Sequence, residues 1–161
     1  MKKFLMTFLI LCVSFFVSGC IDTDTEMGNS NVTYSKGEDV KVGYISYQVY
    51  KVYSQKRIGS YDFGKTANAN YLIVDISAKN EDTQSRMIPD FELVDENGSS
   101  YESDAESAMY LPENKAFYFD SLNPGVQKRG YVVFDVPEGK QYKLKISGGY
   151  FSSSYAYINL M

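Results

Sequence analysis

The chain has 161 residues, with 16 Lys plus Arg against 20 Asp plus Glu, no His, no Trp and two Cys. At ~100 to 200 residues per domain this length suits one globular domain with a leader or tail. Without imidazole there is no Ser-His-Asp or Cys-His arrangement, and two Cys cannot cage zinc. A net charge of −4 with scattered basic residues leaves no stripe for nucleic acid.

Residues 1–20 read as an export address. Lys2 and Lys3 precede an apolar run from Phe4 to Val17, then Ser18-Gly19-Cys20. As a helix the run would extend roughly 21 Å, short of the ~30 Å hydrocarbon core. Asp22, Asp24 and Glu26 follow at once, which disfavours a spanning anchor. Val17-Ser18-Gly19-Cys20 resembles the lipobox of bacterial lipoproteins. That resemblance implies diacylglycerol on the Cys20 sulfur, with acyl chains such as palmitate, and cleavage before Cys20. Cleavage after residue 19 removes two of the 16 basic side chains and none of the 20 acidic ones, taking the net charge from −4 to −6. One Cys then remains, so no intrachain disulfide can form. The expected location is the extracytoplasmic face of the cell membrane.

Residues 20–39 are polar and dotted with Gly, and are expected to be a flexible tether. The acids at 22, 24 and 26 lack the turn-forming Gly of a calcium loop, so no metal is expected.

From 40 to 161 short β-branched and aromatic runs alternate with Gly, Pro, Asn and Asp, the pattern of a sandwich or barrel. Val42 to Tyr53 is a predicted strand with Ile45, Tyr47 and Val49 on one face. In Tyr71 to Lys79, Leu72, Val74, Ile76 and Ala78 face inward and Tyr71, Asp75, Ser77 and Lys79 outward, which predicts a half-buried antiparallel strand. Asn97-Gly98 predicts a two-residue hairpin after Phe91 to Asp95. Ser103 to Leu111 is the one predicted short helix, capped by Ser103 with Glu106 three residues on. Asn123-Pro124-Gly125 sets a turn into Gln127 to Val136, with Val132, Phe134 and Val136 inward. Strands over Tyr142 to Ile146 and Tyr155 to Leu160 complete about seven, with no internal repeat.

Asn80, Phe91-x-Leu93-x-Asp95-x-x-Gly98-x-x-Tyr101, Leu122-Asn123-Pro124-Gly125 and Gly130-x-Val132-x-Phe134-x-Val136-Pro137 together resemble the bacterial family known as domain of unknown function 4352. The resemblance covers roughly residues 40–160 and implies an immunoglobulin-like antiparallel β-sandwich with no catalytic residues. Each matched position has a core or turn role in prospect, with Tyr101 as a corner tyrosine. The chain departs from the family pattern in its load of 15 Tyr and its Ser152-Ser153-Ser154-Tyr155-Ala156-Tyr157 stretch, so its surface is open to specialisation.

The expected function is therefore a non-catalytic binding or interaction module without a cofactor, held to the membrane by its lipid. Tyr44, Tyr50, Tyr71 and Tyr131 are the candidate contact surface for a protein or cell-envelope polymer, since outward tyrosines give rigid amphipathic area. Two alternatives stand beside it. An accessory or immunity-type lipoprotein would act on a membrane partner, with Lys56-Arg57 and Lys128-Arg129 touching anionic groups. A carboxylate-dependent hydrolase would draw on Asp75, Asp90, Glu92 and Asp95.

Overall fold

A computed structural model of the chain describes residues 32–112, 115–117 and 120–161. The expected leader, the expected lipidation site Cys20 and the first part of the expected tether lie outside the described residues. In chain order the elements are β1 (Thr33–Ser35), β2 (Asp39–Val42), β3 (Ile45–Gly59), β4 (Gly64–Asn80), β5 (Arg86–Met87), β6 (Glu92–Asp95), β7 (Ser100–Glu102), α1 (Ala105–Ala108), β8 (Ser121–Leu122), β9 (Gln127–Asp135), β10 (Tyr142–Ser147) and β11 (Tyr155–Asn159).

One sheet has the order β1-β11-β10-β6-β7, a second β2-β3-β4-β9, and β5 pairs with β8 in a two-stranded ribbon. The two larger sheets face each other as an immunoglobulin-like sandwich. Leu93, Tyr142, Leu144, Ile146, Ala156 and Ile158 from the first meet Ile45, Tyr47, Val49, Val74, Ile76, Ala78, Val132, Phe134 and Val136 from the second, all buried. Tyr47 ties the sheets together by donating its hydroxyl to the Ser147 carbonyl at 2.7 Å.

Tertiary pairing corrects several expectations. Among the described residues the two principal sheets hold nine strands rather than about seven, and β1 runs parallel to β11 while the other strand pairs in these sheets are antiparallel. Thr33–Ser35, within the expected tether, already forms β1, so the folded part begins before residue 40. The run from Val42 to Tyr53 is broken at Gly43, whose φ of +56° turns β2 into β3. The Asp95 hairpin has three loop residues, not two: Asp95 N–H donates to Ser99 and Gly98 N–H to Asp95, with Gly98 at φ +82°. The helix is shorter than expected and is capped by Asp104, whose carboxylate accepts from the Ser107 amide at 2.8 Å.

The strand expected to be half-buried, within β4, is covered on both sides. Val74, Ile76 and Ala78 enter the main core, while Tyr71 and Ile73 join Ile58, Ala108, Ala116 and Val133 in a second cluster. The cover comes from α1 and the 115–117 segment, where the Tyr131 amide donates to the Lys115 carbonyl at 2.5 Å. Gly130 permits this approach, because a Cβ there would sit 2.7 Å from that carbonyl oxygen. Opposite the register shift between Gln55 and Arg57, Asp135 accepts from the amides of Asn68, Ala69 and Asn70 at 2.7, 2.9 and 3.1 Å. Near the tip of the β3–β4 hairpin Lys65 pairs with Glu106 of α1 at 3.1 Å, and the Phe63 ring packs against Tyr110 at 5.0 Å.

Candidate functional site

The four tyrosines expected to form one surface separate into three environments. Tyr71 is 0% exposed and no surface residue; its hydroxyl lies 3.0 Å from Ser107 Oγ. Tyr44 stands at one end of the sandwich. Tyr50 and Tyr131 share the outer face of the β3-β4-β9 sheet.

That shared face is organised by a register shift. Tyr50 is the extra residue of a bulge between Val49 and Lys51, so Tyr50 and Tyr53 both point outward despite their odd spacing. Arg129 on β9 reaches the buried Asp75 carboxylate with two bonds of 2.8 Å, and its guanidinium carbon lies 3.9 Å from the Tyr50 ring centre. The Tyr53 and Tyr131 rings meet edge to face at 6.0 Å, and Lys115 Nζ lies 5.9 Å from the Tyr131 ring centre. Asp75, Lys115, Arg129, Gly130 and Tyr131 line a depression of about 280 Å³. Sequence reasoning missed Tyr53 and Arg129 as members of this cluster. The bulge has no one-residue signature, and the Arg129 partner lies 54 positions away.

At the sandwich end, an open groove of about 710 Å³ is lined by Gly43, Tyr44, Ser85, Arg86, Met87 and residues 148–152. Phe151 is 97% exposed, Tyr150 56%, Tyr44 45% and Met87 43%. Arg86 lies over the Tyr44 ring at 4.7 Å and pairs with Asp82. The local signal for this groove is Tyr150-Phe151 directly after Gly148-Gly149, two large apolar side chains where turn chemistry favours polar ones.

Of the four carboxylates considered for hydrolysis, three are held by a cation. Asp75 is held by Arg129. Glu92 accepts from Lys145 Nζ at 2.7 Å; burial alone would raise its pKa, but Lys145 and the Ser100 hydroxyl leave it lowered. Asp95 has a fully buried carboxylate held well below the usual range, first by Lys140 Nζ at 2.6 Å, then by the Ser99 amide, the Tyr101 hydroxyl and the Asn97 amide. Lowered carboxylates stay ionised and cannot serve as proton donors. Asp90 is exposed and shares a cleft with Glu92. The basic pairs are likewise engaged: Lys56 with Glu138, Lys128 with Asp120, Arg129 with Asp75, and Arg57 with the Tyr61 carbonyl at 2.9 Å.

Tyr101, expected at a corner, instead binds Asp95 and Lys140. The corner position belongs to Tyr142, whose hydroxyl donates to the Pro137 carbonyl five residues upstream at 2.7 Å.

These features define a small β-sandwich with two aromatic surface sites, one on a sheet face and one at an end. Residues 34–156 match the family described as Domain of unknown function (DUF4352), and the chain belongs to that family. The uncharacterized protein YxkC of Bacillus subtilis is 30% identical, over 71% of each chain. The secreted protein MPT63 of Mycobacterium tuberculosis has a similar fold, with a TM-score of 0.60 at 13% identity over 82% of this chain and 99% of that one. So does ycdA of Bacillus subtilis, a proposed lipoprotein, with a TM-score of 0.55 at 17% identity over 77% of this chain and 38% of that one. No catalytic activity is indicated by the family description or by these relatives. Among the described residues no helix is long and apolar enough to cross a membrane.

Proposed function

We propose that this chain is an extracytoplasmic lipoprotein, acylated on Cys20, that works as a non-catalytic binding module. The sheet-face cluster of Tyr50, Tyr53, Arg129 and Tyr131 is its contact surface for a protein or envelope polymer. The observation that carries this reading is Arg129, held in two bonds by Asp75 while stacked on Tyr50. Side chains locked before binding lose little rotamer freedom when a partner arrives, and stacked Arg with Tyr suits both peptide and sugar faces. The lipobox at Val17 to Cys20 supports the anchor, and the secreted and proposed lipoprotein relatives support the location.

Two measurements test it. Cys20→Ser is expected to abolish acyl labelling and to leave the leader uncleaved or release the protein from membranes; normal cleavage with full membrane retention would contradict the anchor. Proximity crosslinking of the protein in its own cells is expected to capture a partner that the Tyr53→Ser, Tyr131→Ser double variant loses while still fractionating with membranes. An unchanged crosslinking pattern in that variant would remove the contact surface.

A further inference from the structure

The end groove sits on the side where the described chain begins, at Val32. The Val32 carbonyl accepts from the Tyr157 amide at 3.1 Å, and Thr33 pairs with Tyr157 as β1 enters alongside β11. Tyr155, two residues earlier, pairs with Ser147 at the base of the 148–154 turn. Val32 is thus roughly 7 Å, two strand residues, from the turn that carries Tyr150 and Phe151. The tip of the β3–β4 hairpin, with Tyr61, follows the far end of the 15-residue strand β3.

The twelve positions separating Cys20 from Val32 can span at most about 43 Å when fully extended. An acyl group on Cys20 therefore holds Val32 within about 43 Å of the bilayer, and the end of the domain beside Val32 exposes Tyr44, Met87, Tyr150 and Phe151. Tyr gains at the headgroup boundary, where its ring sits in hydrocarbon and its hydroxyl in water, and Phe gains there by burying its ring. Among the described residues no carboxylate lines the groove, and the cation that does, Arg86, is neutralised by Asp82. The groove lining would neither be repelled by lipid nor demand an anionic one.

We infer that the groove end, led by Phe151 and Tyr150, is seated in the headgroup–acyl boundary of a phospholipid bilayer, orienting the domain so that its sheet face and hairpin tip project from the membrane. This rests on the acylation of Cys20 proposed above. The docking is hydrophobic and should be insensitive to salt.

The absence of Trp from the chain allows a clean test. Full-length protein matured in cells carries either Phe151→Trp or Tyr61→Trp, the latter at a site that is 94% exposed, and is reconstituted on phosphatidylcholine vesicles with or without bromine on the acyl chains. The indole of the Phe151→Trp protein is expected to emit further to the blue and to lose most of its intensity on the brominated vesicles, while that of the Tyr61→Trp protein is unchanged. Identical behaviour of the two indoles, both quenched or both unquenched, overturns the inference while leaving the anchor intact. Failure of either protein to float with vesicles overturns the anchor itself, and the docking with it.

Discussion

Gly43 and Gly148 meet backbone to backbone at the groove end, each leaving room for the other. A Cβ on Gly148 would lie 3.0 Å from the Gly43 Cα and 3.0 Å from the Val42 carbonyl oxygen. The contact joins the β2–β3 turn of one sheet to the β10–β11 turn of the other, and it forms part of the groove wall. Gly148→Ala should therefore force the two turns apart, at a cost of roughly 1 to 3 kcal/mol as for other overpacked sites. Urea denaturation would show it; a midpoint equal to that of the parent would mean that the turns separate freely.

Asp95 should dominate the acid side of the stability profile. Its pKa is depressed in the folded state from an ordinary 3.8, so its contribution is fully present above that value and is lost as pH falls toward the lower folded one. Asp95→Asn should lower the urea midpoint near neutrality, with the gap to the parent narrowing between about pH 4 and about pH 2 as the parent loses its own advantage. A gap that stays constant across that interval would contradict the assignment.

Removing the Arg129 guanidinium leaves the Asp75 carboxylate buried without its bidentate partner, an arrangement that costs more than losing a solvent-exposed pair. Arg129→Gln should lower the denaturation midpoint more than Lys56→Gln, which breaks an exposed contact with Glu138. Adding Asp75→Asn to Arg129→Gln should restore part of the loss. Equal effects of the two single changes would show that Asp75 is solvated without Arg129.

The Tyr142 hydroxyl closes the turn from β9 into β10. Burial pushes its pKa up to about 12, with the nearby Tyr101 adding to the shift. Tyr142→Phe keeps the ring in the core but strips the Pro137 carbonyl of its donor, so about 1 to 2 kcal/mol should be lost. Tyr101→Phe should instead act on the pH profile, because its hydroxyl serves the Asp95 carboxylate. Thermal melts of the two variants at neutral and acid pH separate the roles.

Local patterning carried much of the fold. The inward faces of Ile45, Tyr47 and Val49 and of Val132, Phe134 and Val136 were legible from alternation, and all are buried. The Asn123-Pro124-Gly125 turn was legible from backbone chemistry: Gly125 has φ +72° and the Val126 amide returns to the Asn123 carbonyl. Asn80 stood out only as part of a family pattern. Its physical reason appears in space, where its buried side-chain amide donates to the carbonyls of Gln84 and Leu122.

The surface was less legible. Alternation placed Tyr71 and Tyr131 on the same outward face, and only the chain folding back through α1 and residues 115–117 buried the first while leaving the second partly open. By itself the sequence determined the sandwich, its core faces and its turn positions, because those follow from side-chain period and backbone preference within a few residues. Which tyrosines face solvent, which cation holds Asp75, and that Tyr44 and Phe151 line one groove at the end nearest β1 were decided by tertiary structure. These depend on a bulge, a two-glycine contact and a covering segment, each formed by residues far apart in the chain.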